Sequence, residues 1–216
     1  MVRIATKKQT SIDAPEISYH ERRALDRLIF FSDGVFAIAI TLLVLNVALP
    51  AIQSGSASAG FVSVLLATVP RLGAYALSFL VISSYWMAHQ RTFHYIERYN
   101  PTLGWLNLVF LLFVALVPFP TGLLSEYGNQ VGAVILYAAT LGILGLILFL
   151  LWVYASRDHR LVTKKLSAKH IRETTIKNAI SPLVFFASIG VAFVNLTAAE
   201  IVWVLVFVLL RASEMV

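Results

Sequence analysis

Residues 27–49 read RLIFFSDGVFAIAITLLVLNVAL, a membrane-length apolar run with an arginine, a serine and an aspartate packed into its opening turns. An uninterrupted stretch of about 20 apolar residues is long enough to cross the hydrocarbon core of a bilayer, and this one predicts a transmembrane helix. Arg27, Ser32 and Asp33 set it apart. Ionisable groups at the edge of a membrane are costly and face other protein or water, so these side chains are expected to have partners.

The rest of the chain agrees with that reading. It is 59% hydrophobic and only 13% charged, against roughly 25% charged residues in soluble domains. Six apolar blocks stand out, at about 28–49, 69–88, 103–124, 131–155, 179–196 and 197–210. The expected fold is therefore all-α, an integral membrane protein with six transmembrane helices per protomer, forming one membrane domain over residues 19–211 with no internal repeat. Residues 1–18 are polar and of mixed charge and are expected to form a disordered cytoplasmic N-terminus. They do not resemble a cleavable signal peptide, so the first helix is expected to act as an uncleaved anchor. With no cysteine, the chain has neither a disulfide framework nor a thiolate site.

The net charge of +6 follows topology and does not point to nucleic acid. Lysine and arginine accumulate in cytoplasmic loops. Here they precede the first block, lie between blocks two and three (Arg91, Arg98), fill 157–177, and follow block six (Arg211), whereas 50–68, 125–130 and the turn near Asn195 carry none. Six spans with both termini in the cytoplasm satisfy every loop. Arg71, just inside span two, is left to snorkel to the opposite headgroups. Pro70 is expected to divide that region into a short external segment and a span. Thr197-Ala-Ala-Glu200 has the spacing of a capping box and predicts a new helix after a very short turn. The basic segment 157–177 reads as a solvated helix extension, with binding of anionic headgroups as the alternative.

This topology brings polar groups to one depth. Arg27, Ser32 and Asp33 open span one, Trp86 and His89 close span two, and Trp105 and Asn107 open span three. Trp86, His89 and Phe93 are spaced i, i+3, i+7 and share a helical face. A hydrogen-bonded cluster of Arg27, Asp33, Trp86, His89 and Asn107 would compensate a buried carboxylate and fix the packing of span one. Against it stands the ordinary use of tryptophan as an interfacial anchor, which suits Trp105; Asn107 fits a wet headgroup position equally well. Catalytic signatures such as HExxH, G-x-S-x-G or a Walker loop do not occur, so no enzyme is expected, and no cofactor beyond a permeant ion.

Arg27, Phe31, Ser32 and Asp33 form the pattern R-x-x-x-F-S-D, followed downstream by P-x-L-x-A-Y-x-x-S-F from Pro70 to Phe79 and W-x-x-H-x-x-x-F from Trp86 to Phe93. Together these resemble the signature of the transmembrane protein 175 family, the lysosomal potassium channel and its prokaryotic relatives. The resemblance is close over the first two spans and reaches the remainder only through the six-span layout. It implies a potassium-selective channel in the cell membrane of a prokaryote, assembled as a homotetramer around pore helices supplied by span one. It also implies a gate of apolar rings at Ile38, Leu42 and Leu45, with Thr41 as the hydroxyl ring tied to selectivity. Arg27, Phe31, Ser32, Asp33, Trp86 and His89 would brace that helix without touching the ion.

Helix geometry is compatible with such a face, since Ile38, Leu42 and Leu45 fall within an arc of about 60° at roughly 100° per residue. Span one is apolar all round, however, and its periodicity does not single out the pore side. No TVGYG-type carbonyl filter exists in the chain, so selectivity would arise from narrow rings and hydroxyls. The alternative reading is a small proton-coupled transporter in which Asp33 and His89 form the coupling pair. The partners expected for the channel are other copies of the chain, membrane lipid and potassium ions.

Overall fold

The computed structural model describes residues 19–47 and 61–212. Seven α-helices account for most of them: α1 Tyr19–Leu42, α2 Phe61–His94, α3 Pro101–Leu116, α4 Pro118–Tyr127, α5 Val131–Ser156, α6 Ala168–Ala192 and α7 Leu196–Ala212. Short 3-10 segments continue α1 (Leu43–Asn46) and α5 (Arg157–His159). Among the described residues, four stretches are long and apolar enough to cross a membrane: Tyr19–Asn46, Pro101–Tyr127, Val131–His159 and Ala168–Ala192. The N-terminal segment 1–18 and most of the loop 50–68 lie outside the described residues.

α5 is the axis of the protomer. Fifteen of its 26 residues, spread from Ala133 to Ser156, are buried, and two glycines let neighbouring helices approach closely. A Cβ at Gly142 would meet the Phe186 ring at 2.9 Å, and one at Gly145 would meet Pro182 Cδ and the Tyr85 hydroxyl at the same distance. Around it Phe36 of α1, Leu43 of the 3-10 segment that continues it, Ile82 of α2, Phe110 of α3, Phe185 of α6 and Trp203 of α7 form the main core. A second apolar cluster closes the end where the basic segments emerge, gathering Leu25, Phe93, Leu103, Trp152, Leu161 and Val162.

Three features depart from expectation. α2 runs without a break from Phe61 to His94, with Pro70 inside it, so the proline does not split the region. A proline removes one donor, and in an apolar environment every other backbone bond of the helix is still worth keeping. α7 starts at Leu196, one residue before the proposed box; its cap is Asn195, whose Oδ1 accepts from the Ala198 N–H at 3.0 Å. Asparagine is a better cap than threonine and lies two residues earlier. The basic segment is more than a helix extension. Leu161 and Val162 are buried, and Val162 forms an isolated antiparallel bridge with Ile96; α6 begins only at Ala168.

The third span bends where sequence places Pro118. α3 ends at Leu116, Val117 N–H turns back to Val114 O at 3.2 Å, and α4 restarts with the proline at its first position. Asn46 Nδ2 donates to Pro118 O at 2.8 Å and ties the end of the α1 rod to this bend.

Candidate functional site

The face of α1 that packs on the protomer is narrow. Leu25, Ser32, Phe36 and Ala39 are buried, as is Leu43 in the following 3-10 turn. The opposite face is open and mostly apolar: Ile38 is 62%, Leu42 41% and Leu45 70% exposed. Thr41 is on the same side, with its hydroxyl donating to Ile38 O at 2.9 Å. Helical arithmetic alone could not choose this face, because residues on both sides are aliphatic; packing chooses it. The 3-10 turn over Leu43–Asn46 also tightens the winding to about three residues per turn, so Leu45 sits nearly over Leu42.

About midway along α1, the single cluster expected from sequence resolves into two. The first is fully buried. Ser32 Oγ donates to Leu28 O at 2.8 Å and accepts from Asn107 Nδ2 at 2.9 Å, while Asn107 Oδ1 pairs with His89 Nε2 at 2.8 Å. Because the amide nitrogen of Asn107 is committed to Ser32, its oxygen faces the imidazole, and His89 Nε2 is the donor. His89 lies between the rings of Phe93 and Phe110, at centroid distances of 4.3 and 5.4 Å, and its Nδ1 is buried without a hydrogen bond. One chain of three side chains thus joins α1, α3 and α2.

The second cluster lies at the protomer surface. Asp33 Oδ1 accepts from Trp86 Nε1 at 2.9 Å and from Gln90 Nε2 at 2.6 Å, two residues one turn apart on α2. These charge-assisted bonds hold the carboxylate against α2 at the end of a cleft of about 600 Å³ walled by Phe36, Ile40, Phe79 and Leu80. Arg27 belongs to neither group. It is exposed and makes no ion pair with Asp33, because six residues on a helix turn them about 120° apart. Phe31 is likewise exposed, and Asp33 and His89 share no hydrogen bond.

Of the residues named from sequence, Ser32, Asp33, Trp86, His89 and Asn107 are therefore brought together about midway along α1, in two sets, while Ile38, Thr41, Leu42 and Leu45 share the open face that follows. Trp105 stands exposed, in keeping with an anchoring role. Gln90 was missed. The available signal was its position four residues after Trp86, which puts both donors on one helical edge opposite the carboxylate.

A family model described as the endosomal/lysosomal potassium channel TMEM175 matches residues 27–118, from the R-x-x-x-F-S-D arginine to the proline at the α3–α4 bend. A protein named potassium channel from Streptomyces collinus is 37% identical over 170 residues, covering 76% of this chain and 81% of that one. Another so named, from Chamaesiphon minutus, is 32% identical over 188 residues, 85% of this chain and 89% of its own. A crystal structure of a lysosomal potassium-selective channel TMEM175 homolog from Chamaesiphon minutus superposes with a TM-score of 0.79 at 28% identity, covering 88% of this chain and 98% of the other.

Proposed function

This chain belongs to the TMEM175 family, and from that premise we propose that it is a potassium channel in which four copies surround a central pore lined by α1. The observation that carries the proposal is the two-sidedness of α1: Phe36, Ala39 and Leu43 are buried in the protomer, while Ile38, Leu42 and Leu45 are turned away from it. Four such faces converging on one axis would form successive aliphatic rings. A ring of this kind gates by narrowing the path and excluding water from it, and Thr41 supplies hydroxyl oxygens between two of the rings. Six spans with both termini on the cytoplasmic side of a prokaryotic cell membrane complete the arrangement. Residues 19–211 then form one channel unit.

The polar groups midway along α1 serve as its brace. Ser32, Asn107 and His89 fix its rotation against α2 and α3, and Asp33 is held by Trp86 and Gln90. Rotation matters because a turn of one residue would replace Ile38 on the axis by Ala37 or Ala39. A proton-coupling role for Asp33 and His89 has less support, since the two side chains are held in separate networks and share no hydrogen bond.

The test is flux. Reconstituted in liposomes with an outward potassium gradient, the Ile38→Asn protein should pass cations faster than wild type, because a polar ring no longer dewets. Unchanged flux from a protein of unchanged oligomeric mass removes Ile38 from the gate.

A further inference from the structure

At the far end of α5 the chain builds a second site that the channel reading does not use. The turn after α5 brings Arg157, Asp158 and His159 over the first turns of α6, and a cleft of about 450 Å³ opens between the two helices. Arg157 and Arg172 flank it from opposite helices. Asp158 is the lone carboxylate in the lining and reaches only Arg157, at 3.9 Å with both side chains exposed, so the cleft carries a net positive charge. Arg172 makes no ion pair among the described residues. His159 donates Nε2 to Leu166 O at 3.0 Å and pins the turn.

The inner wall holds the telling group. Ser156 is 6% exposed, lines the cleft, and makes no capping bond to the 3-10 turn that follows it. A hydroxyl and two guanidiniums lining one cleft form a donor set for a tetrahedral oxyanion. The outer wall indicates where that anion comes from. On α6, Lys169, Ile176 and Leu183 repeat every seven residues and Arg172 lies within about 20° of Leu183 around the axis, so one helical stripe passes from cation to exposed aliphatic. Ile176 and Leu183 are 52% and 67% exposed within a helix of membrane length. A cationic cleft at the head of an apolar stripe matches a molecule with a phosphate head and an acyl tail.

We propose that the α5–α6 cleft binds the phosphate of an anionic membrane lipid, with Arg157 and Arg172 on the charge, Ser156 donating from below, and the acyl chains along Ile176 and Leu183. The reading does not depend on the pore assignment. Native mass spectrometry of the detergent-purified protein titrated with dioleoyl phosphatidic acid, and with dioleoyl phosphatidylcholine for comparison, tests it. Phosphatidic acid should be retained more tightly, and the R157Q/R172Q protein should lose roughly fivefold in affinity for each guanidinium removed. Ser156→Ala should weaken binding by about threefold with the charges intact. K164Q/K165Q removes two exposed charges of the same segment outside the cleft and should retain the lipid as wild type does; it also controls for folding, along with an unchanged elution volume for every variant.

Equal losses in R157Q/R172Q and K164Q/K165Q would reduce the effect to diffuse loop charge and overturn the site. So would equal retention of the two lipids, or wild-type binding by Ser156→Ala. Displacement of phosphatidic acid by millimolar inorganic phosphate would assign the cleft to a soluble anion and overturn the lipid reading.

Discussion

Asn107 occupies the crossing of α1, α2 and α3, where its oxygen accepts from His89 and its nitrogen donates to Ser32, both fully buried. Replacing it with leucine keeps the volume and removes both bonds, leaving an imidazole N–H unpaired and a serine hydroxyl short of one partner. An unsatisfied buried group costs roughly 1–3 kcal/mol, so Asn107→Leu should lower the detergent melting midpoint by several degrees and weaken the oligomer before it touches ion selectivity. An unshifted midpoint would mean that water already satisfies these groups. This position marks the limit of reading single residues. Sequence placed Asn107 at the right depth and left open whether it faced headgroups or protein, because an asparagine one turn into an apolar helix fits both. The Asp33 brace was half readable: Trp86 stands out as a rare residue, whereas Gln90 has no feature that distinguishes it from any polar residue at a helix end. Arg27 was grouped with Asp33 by proximity in sequence, and the helical turn separates them.

At the scale of elements, the apolar blocks were visible in sequence, and their ends and faces were not. α1 and α5 are both apolar on every side, so nothing in their periodicity says that α5 is central while α1 presents an open face; only the packing of the other helices decides it. The uninterrupted α2 shows the same limit, since a rule about proline that holds in water is overridden where no water competes for the backbone. The α5–α6 contact makes a prediction at this level. A methyl group at Gly145 would lie 2.9 Å from Pro182 Cδ and from the Tyr85 hydroxyl, which itself donates to Leu141 O at 2.7 Å. A proline ring and a hydrogen-bonded tyrosine have little room to give, so Gly145→Ala should cost about 1–3 kcal/mol by overpacking despite its better helix propensity. Gly190→Ala, with open space around its Cβ position, should gain up to about 1 kcal/mol on the same propensity grounds. Thermal midpoints of the two proteins side by side measure the difference, and equal midpoints would show that α6 slides to relieve the clash.

For the whole molecule, charge and helix length make one joint statement about sidedness. α5 has 26 residues and is therefore about 39 Å long, so the turn before it, 128–130, and the segment after it, 157–167, stand at opposite ends of the bundle. The first carries no lysine or arginine and the second carries four, so the positive-inside rule predicts the cytoplasmic side for the second, as in the topology proposed above. The second apolar cluster and the Ile96–Val162 bridge fold that segment onto the ends of α2 and α5, which makes it a rigid marker of its side. A chain without cysteine allows a clean measurement. In intact cells a membrane-impermeant maleimide should label Asn129→Cys, an exposed position in the first turn, and should label Lys165→Cys, exposed in the second, only after permeabilisation. Labelling of Lys165→Cys alone in intact cells would invert the proposed topology and place the proposed anionic-lipid cleft in the outer leaflet. Equal labelling of both would break the premise that α5 crosses the membrane, and with it the proposed ring of α1 helices, because α1 is positioned through contacts that lead back to α5.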